Sequence, residues 1–493
     1  MLKTGQNIKK NIKIIYLYVK LKKLAKGLKC QIIGKNVDVK NLTQNSKKIA
    51  KDMLFFCIDG IKTDGNLYID EAIKNGAVAI VTSKKINKPI PQILVKNVRV
   101  AMPIVSANFY NNPQKKLNII AITGTNGKTS CTYLIKNLLE FFGKRVGVVG
   151  TNGVFICGKK LSAHLTTPDG IELFETFSQM VKHKVKYCIM EVSAHAIFLH
   201  KLCGIKFKIK ALTNVKSDHL DFFKTKQNYQ KVKQSFFDND TTNIVNVDDA
   251  IGKKIAKNNK KCITFGKKNA NFCIFDVKLE LGKTNFKLKF GGKTFCVLSN
   301  LTGLFNVYNL ALCIAVMHQL KFNLKKVISY VPKIKNLDGR FDMANYGQSF
   351  AIVVDYAHTT DSLKNLLKTI TKVSKNNNVI VIGCPGERDT TKRFDMGKFA
   401  GEFCKWVIFT ADNPASENAK RIMHEMFVGA SQTKTKCFLI ENRQKAIKKA
   451  IKIAKTNKNT NVLVVGKGIE DYQIVGDRFK KYSDYQSIKS ALN

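Results

Sequence analysis

The chain has 493 residues, 44% of them hydrophobic and 24% charged, enough for roughly two to four domains with their own cores, which excludes disorder as the default reading. The formal net charge of +49 suggests nucleic acid, but the cations are spread along the whole chain with only eight Arg among them, a Lys/Asn/Ile bias that an AT-rich coding sequence produces, so no specific nucleic-acid partner is expected. The 13 Cys residues form no C-x-x-C pair and no run approaches the ~18 apolar residues of a membrane span, which excludes zinc ribbons, disulfide frameworks and membrane passage and fits a reduced, cytoplasmic, monomeric protein.

In chain order, residues 1–20 are basic with a short apolar patch and read as an extension ahead of the fold. From 21 to about 115, short runs such as DMLFFCIDG and GAVAIVTS alternate with helix-like stretches, predicting a small α/β domain. From 116 to 338, apolar strands (LNIIAIT, KRVGVVG, KYCIMEVS, IKALTNV, TNIVNVDD) alternate with helical segments, which predicts a doubly wound parallel sheet. After LDGR the alternation restarts with FAIVVDYAH, NVIVIGCPG, WVIFTADNP and NVLVVGKG, a third, Rossmann-like α/β domain over 339–493. Ligands of such sheets sit beyond the carboxyl ends of the strands, so the loops there are the candidate sites.

The first of these, GTNGKTS, is a phosphate loop between a strand and a helix, with only Thr125 and Asn126 between Gly124 and Gly127. The glycines let backbone N–H groups approach phosphates, Lys128 is placed to bridge their oxygens, and Thr129, followed by Ser130, is placed to reach Mg²⁺. Two later strand ends deliver Glu191 and the pair Asp218–His219 to the same sheet edge, a carboxylate and an imidazole suited to a metal. Taken alone, His219 reads equally as a hydrogen-bonded structural histidine.

These segments in order, T-G-T-N-G-K-T, T-T-P at Thr166, E-V-S-A-H-A at Glu191, T-N-x-x-x-D-H-L-D at Thr213, F-N-V-x-N at Phe305, G-R at Gly339 and D-Y-A-H-T at Asp355, resemble the Mur ligase family of ATP-dependent amide synthetases. The later segments GCPGERDTTKRFDMG, TADNPASEN and GKGIEDYQ, with NSKKIAKDMLFFCIDGIKTDG near the N-terminus, resemble its MurE branch, which adds the third residue to UDP-N-acetylmuramoyl-L-alanyl-D-glutamate in peptidoglycan synthesis. Asn45, Lys47, Lys201, Asp342, Thr360, Phe394 and Ile469 depart from the family pattern.

The resemblance implies that ATP lies on Gly124 to Ser130, with Asn306, Asn309, Arg340 and Asp355 holding adenosine and phosphates. It implies Mg²⁺ on Thr129, Glu191, His219 and Lys233, the last as the carbamylated lysine of the family. Catalytic roles then fall to Lys128, Glu191, His219, Lys233 and His358. The UDP substrate is expected on Ser46, Thr166, Thr167, Ser193 and Lys201. The incoming amino acid is expected on Asp412, Asn413, Ala415, Gly466 and Glu470, with Arg393 on its α-carboxylate. In diaminopimelate enzymes an Arg of D-N-P-R forks onto a second carboxylate; here that position is Ala415, so L-lysine is favoured over meso-diaminopimelate as acceptor. A folylpolyglutamate synthetase-like ligase shares the loop and stands as the rival, with a non-enzymatic basic P-loop protein behind it.

Overall fold

Strand–helix alternation is realised as three large sheets, with two further two-stranded ones, in the computed structural model, which describes residues 18–60, 63–161, 165–216 and 218–493. Residues 1–17 of the expected extension and Ile61 and Lys62 of the NSKKIAKDMLFFCIDGIKTDG segment lie outside these. The fold begins before Leu21: Val19–Lys20 pairs antiparallel with Asp38–Val39, and Val19 is buried.

The chain divides into two compact units, one of residues up to 119 with 153–188 and 193–206, the other of 120–152, 189–192 and 207–493. In the first, strands Asn41–Thr43, Met53–Phe56, Ala77–Thr82 and Gln92–Val95 run parallel, and Cys30–Ile33 closes the edge antiparallel. Val98–Phe109 covers that sheet and packs on helix Gly170–Lys182, where Gly170 is forced because a Cβ would stand 3.0 Å from the Pro103 backbone.

In the second unit the sheet runs Val146–Gly150, Tyr187–Val192, Asn118–Thr123, Ile209–Leu212, Thr242–Asn246 and Cys262–Gly266, then continues into Phe272–Glu280, Lys283–Phe290 and Lys293–Ser299. Its central strands are buried on both faces, the reason they read as continuous apolar runs. Helix Leu304–Gln319 packs on helix Lys128–Phe141 and brings Asn306 and Asn309 to the phosphate loop. A six-stranded sheet follows, with Ile352–Asp355, Thr460–Val465, Asn377–Ile382, Trp406–Phe409 and Lys436–Leu439 parallel in that order and Asp342–Met343 antiparallel at the edge. All four apolar runs predicted for the C-terminal segment are strands, and their parallel order sends loops 356–359, 383–391, 410–418 and 466–471 to one edge.

Candidate functional site

The phosphate loop is built from both sides. Gly127 has φ +84° and a Cβ there would stand 2.7 Å from Asn309 Oδ1, while one on Gly124 would stand 1.9 Å from Thr213 Oγ1, so neither glycine is replaceable without displacing a neighbour. The Thr213–Lys216 segment scaffolds the loop: Thr213 Oγ1 donates to Asn126 O (2.6 Å), Asn214 Oδ1 accepts from Asn126 N (3.1 Å) and Thr125 Oγ1 accepts from Lys216 N (2.9 Å). Lys128 Nζ curls over the loop onto the carbonyls of Gly124 (3.0 Å) and Thr125 (2.9 Å). Burial lowers its pKa, helped by Arg340 and opposed by Glu191 and Asp218, so these charges share one neighbourhood.

Glu191 is fully buried and held by three donors: Thr129 Oγ1 (3.0 Å), Thr151 N (3.0 Å) and Thr151 Oγ1 (3.0 Å). Gly150 must be glycine, since its Cβ would stand 2.3 Å from Glu191 Oε1. Lys233 is 1% exposed and donates to Thr123 Oγ1 (2.9 Å) and Gly124 O (3.0 Å) at the base of the same loop. Burial, then the charge of Lys128, pushes its pKa well below that of a free lysine. His219 is about half exposed, has φ +52°, and its Nε2 lies 3.5 Å from Asp218 Oδ2.

Among the described residues, no three His, Cys, Asp or Glu side chains converge as a preformed metal cage. The donors that do meet at the loop, the Thr129 hydroxyl against the Glu191 carboxylate, are hard oxygens of the kind Mg²⁺ takes when phosphate oxygens and water complete its shell. That set fits the expected ion.

A cleft lined among others by Ser130, Tyr133, Leu301, Asn306, Lys335 and Arg340 opens beside the loop. Its mixture of apolar walls and a few polar groups suits a nucleoside. Asn306 and Asn309 are buried and joined, Asn309 Nδ2 donating to Asn306 Oδ1 (3.2 Å). Asp355 accepts from Phe341 N (2.6 Å); burial raises its pKa against the pull of Arg340. His358 follows on the same loop, its Nδ1 against Tyr356 O (2.8 Å) and its backbone carbonyl held by Lys392 Nζ (2.8 Å). The residue is exposed to solvent, yet desolvation by the protein packed around it, reinforced by Lys392 and Arg340, lowers its pKa to about 4.

In the first unit, Thr167 Oγ1 accepts from Ser193 N (3.1 Å), and Ser193 Oγ caps helix Ala194–Phe198. Thr166 precedes Thr167 in the same loop, and Ser46 is buried at the start of the turn Ser46–Lys48. Lys201, expected as a free cation for the substrate, is buried and bound to Asp169 Oδ1 (2.7 Å), which Gln44 also holds through Oδ2 (2.8 Å). It therefore stands as a strut under Thr167.

At the C-terminal strand ends, Asp412, Asn413, Gly466 and Glu470 lie together, the three side chains joined by a residue the sequence reading left unassigned. Lys467 is fully buried, and its Nζ donates to Asn413 Oδ1 (2.9 Å) and Glu470 Oε2 (3.0 Å) and lies 3.4 Å from Asp412 Oδ1. Burial raises the pKa of Asp412 against Lys467 and Arg443. Ala415 has φ +51° and is clasped by the hairpin Tyr472–Val475/Arg478–Lys481: its N–H donates to Ile474 O (3.2 Å) and its carbonyl accepts from Gly476 N (2.8 Å).

Arg393 differs from expectation. It is 1% exposed, and its guanidinium donates to Glu425 Oε2 (2.8 Å) and to both oxygens of Glu417 (2.9 and 3.1 Å), so both terminal nitrogens are committed to carboxylates of this chain and only the buried Nε is without a partner. Glu417 also accepts from Glu387 N (2.5 Å), and Glu387 from Ser416 Oγ (2.5 Å), which knits loop 383–391 to loop 410–418. The missed partners Thr151, Lys467 and Glu417 are 40, 3 and 24 residues from the groups they hold. The G-K-G and D-N-P-x-x-E segments carried the only sequence signal for two of them.

Three family profiles match in order: the Mur ligase family catalytic domain at 38–123, the Mur ligase middle domain at 122–317 and the glutamate ligase domain at 339–468. A protein of Clostridium acetobutylicum named UDP-N-acetylmuramoyl-L-alanyl-D-glutamate–2,6-diaminopimelate ligase 1 is 40% identical, with 96% of this chain and 99% of that protein covered. A ligase of the same name from Caldanaerobacter subterraneus subsp. tengcongensis is 37% identical over 96% of this chain and 99% of its own. A solved structure of a UDP-N-acetylmuramoyl-L-alanyl-D-glutamate–2,6-diaminopimelate ligase superposes with a TM-score of 0.69 at 27% identity, covering 97% of this chain and 99% of that one. With the phosphate loop, Glu191 and the Asn306–Asn309 pair assembled on this fold, the chain belongs to the Mur ligase family, as an ATP-dependent, C–N bond-forming ligase of the MurE type.

Proposed function

We propose that the chain joins meso-diaminopimelate to the D-glutamyl γ-carboxylate of UDP-N-acetylmuramoyl-L-Ala-D-Glu in the cytoplasm, consuming ATP. The observation that carries the chemistry is the meeting of Lys128, the Thr129–Glu191 pair and the buried Lys233 at one phosphate loop. Such a site neutralises crowded phosphates while a carboxylate oxygen attacks the γ-phosphorus, ADP departs and an acyl phosphate forms. The unprotonated amine then attacks the acyl carbon, and inorganic phosphate leaves with both electrons of the C–O bond. Thr129, Glu191 and His219 would hold Mg²⁺, which would supply charge neutralisation to the phosphate oxygens. Lys233, with its depressed pKa, is the amine suited to react with CO₂, giving a carbamate that turns a buried cation into an anionic oxygen donor. Asn306, Asn309, Arg340 and Asp355 hold the nucleotide, Thr166, Thr167, Ser193 and Ser46 serve the UDP substrate, and Asn413 and Glu470 receive the amino acid.

The L-lysine expectation from Ala415 is set aside. It required position 415 alone to supply the cation for a second carboxylate. Position 415 is instead a left-handed backbone corner tied to the 472–481 hairpin, and the charge of another guanidinium, that of Arg388, acts on Tyr472 within that hairpin. The relatives named above carry diaminopimelate in their names. Competition of equimolar meso-diaminopimelate and L-lysine, with the tripeptide product identified by mass spectrometry, tests the reading: diaminopimelate product is expected, and lysine product reinstates Ala415.

A further inference from the structure

Tyr356 lies between the two halves of the reaction, and nothing above gives it a role. It follows Asp355 at the end of strand Ile352–Asp355. The Arg340 guanidinium sits over one face of its ring, Cζ 4.5 Å from the centroid, and the His358 ring meets it edge-on at 4.8 Å. Its hydroxyl donates to Glu470 Oε1 at 3.1 Å. Burial, then the charge of Glu470, raises the phenol pKa, so the proton stays on oxygen and the bond keeps its polarity.

The other supports leave this contact decisive. Glu470 Oε2 is taken by Asn413 Nδ2 (3.0 Å) and Lys467 Nζ (3.0 Å), so the rotation of the carboxylate is fixed at Oε1 by Tyr356. On the other side, Arg340 acts on the titration of Lys128, Asp355 and His358, which puts it in the phosphate neighbourhood. Two glycines let the loops close on the tyrosine: a Cβ on Gly468 would stand 3.0 Å from Tyr356 Cβ, and one on Gly339 would stand 2.5 Å from Ile469 N.

We propose that Tyr356 is a positioning residue that couples nucleotide occupancy to capture of the incoming amino acid. Nucleotide phosphates fix Arg340, Arg340 fixes the ring by its cation–π contact, and the ring fixes the Glu470 carboxylate that meets the amine. Coupling of this kind is reciprocal, so the amino acid tightens nucleotide binding by the same factor. The proposal rests on the reading of Glu470 as part of the amino-acid site.

The test is a thermodynamic cycle by calorimetry on the full chain with saturating UDP-N-acetylmuramoyl-L-Ala-D-Glu and Mg²⁺. The Kd of meso-diaminopimelate is measured with and without a non-hydrolysable ATP analogue. Wild type is expected to tighten at least about fivefold with the analogue, within the usual range of coupling factors. Tyr356→Phe keeps the ring and is expected to hold nucleotide affinity within about twofold while the coupling factor falls towards one. Tyr356→Leu is expected to lose nucleotide affinity as well, because the cation–π contact goes with the ring. Equal tightening in wild type and Tyr356→Phe overturns the proposal, as does a wild type whose amino-acid affinity ignores the nucleotide. A wild type that binds nucleotide but no amino acid in either arm overturns it together with the assignment of Glu470.

Discussion

Replacing Arg393 separates a structural cation from a substrate-binding one. Its guanidinium is 1% exposed and spans two carboxylates, Glu417 and Glu425, whose side chains are 28% and 32% exposed. Breaking a buried pair costs about 3–5 kcal/mol and a charge-assisted hydrogen bond contributes about 1.5–3 kcal/mol; the partial hydration of both partners brings Arg393→Ala to about 3 kcal/mol. Arg393→Lys retains the charge, but one ammonium cannot serve both partners in the fork geometry, and the loss is about 1–2 kcal/mol. The chain has a single tryptophan, Trp406, buried in the C-terminal sheet, so its fluorescence follows this domain through a urea titration. With a slope of about 2 kcal/mol per M, Arg393→Ala lowers the midpoint by roughly 1.5 M. A midpoint unchanged in Arg393→Ala, with only the KM for the amino acid raised, refutes the structural assignment and returns Arg393 to the substrate.

Three further outcomes are expected. Lys233, its pKa depressed by burial and by Lys128, gives up its proton more readily than a free lysine, so native mass spectrometry near pH 7 detects one added CO₂ that is lost on acidification and in Lys233→Ala; an unmodified wild type in bicarbonate buffer refutes the carbamate. His358 stays neutral from pH 8 down to pH 5 and protonates only through about pH 4; since the unfolded chain takes up that proton near 6.5, folding stability falls as pH drops between those values, and a ring-carbon NMR titration centred near 6.5 contradicts this. Gly127→Ala places a Cβ at φ +84° against Asn309 Oδ1, a strain of about 1–2 kcal/mol before the clash, and weakens nucleotide binding about tenfold or more by calorimetry; unchanged affinity refutes the packing argument.

Strands buried on both faces write themselves as apolar runs, so Asn118–Thr123, Tyr187–Val192 and four of the five C-terminal parallel strands were legible, and with them the loops at their carboxyl ends, whereas the half-exposed Lys436–Leu439 was not. The phosphate loop was legible because its glycines answer to local backbone needs at Gly124 and Gly127. What resisted was which cations are already spent. Arg393 and Lys201 look like free anion binders along the chain, and only the fold brings Glu417, Glu425 and Asp169 onto them from 24, 32 and 32 residues away. Ala415 misled for a related reason: a side-chain argument was applied to a position whose backbone, at φ +51°, holds a hairpin that sequence periodicity does not join to it.

The most direct measurement is phosphate release from ATP with Mg²⁺ and UDP-N-acetylmuramoyl-L-Ala-D-Glu, each component omitted in turn, with meso-diaminopimelate as acceptor. Release that requires all of them, and falls by several orders of magnitude in Lys128→Ala, is the predicted result. Release indifferent to the UDP substrate or to the amino acid contradicts amide synthesis by an acyl phosphate at this site.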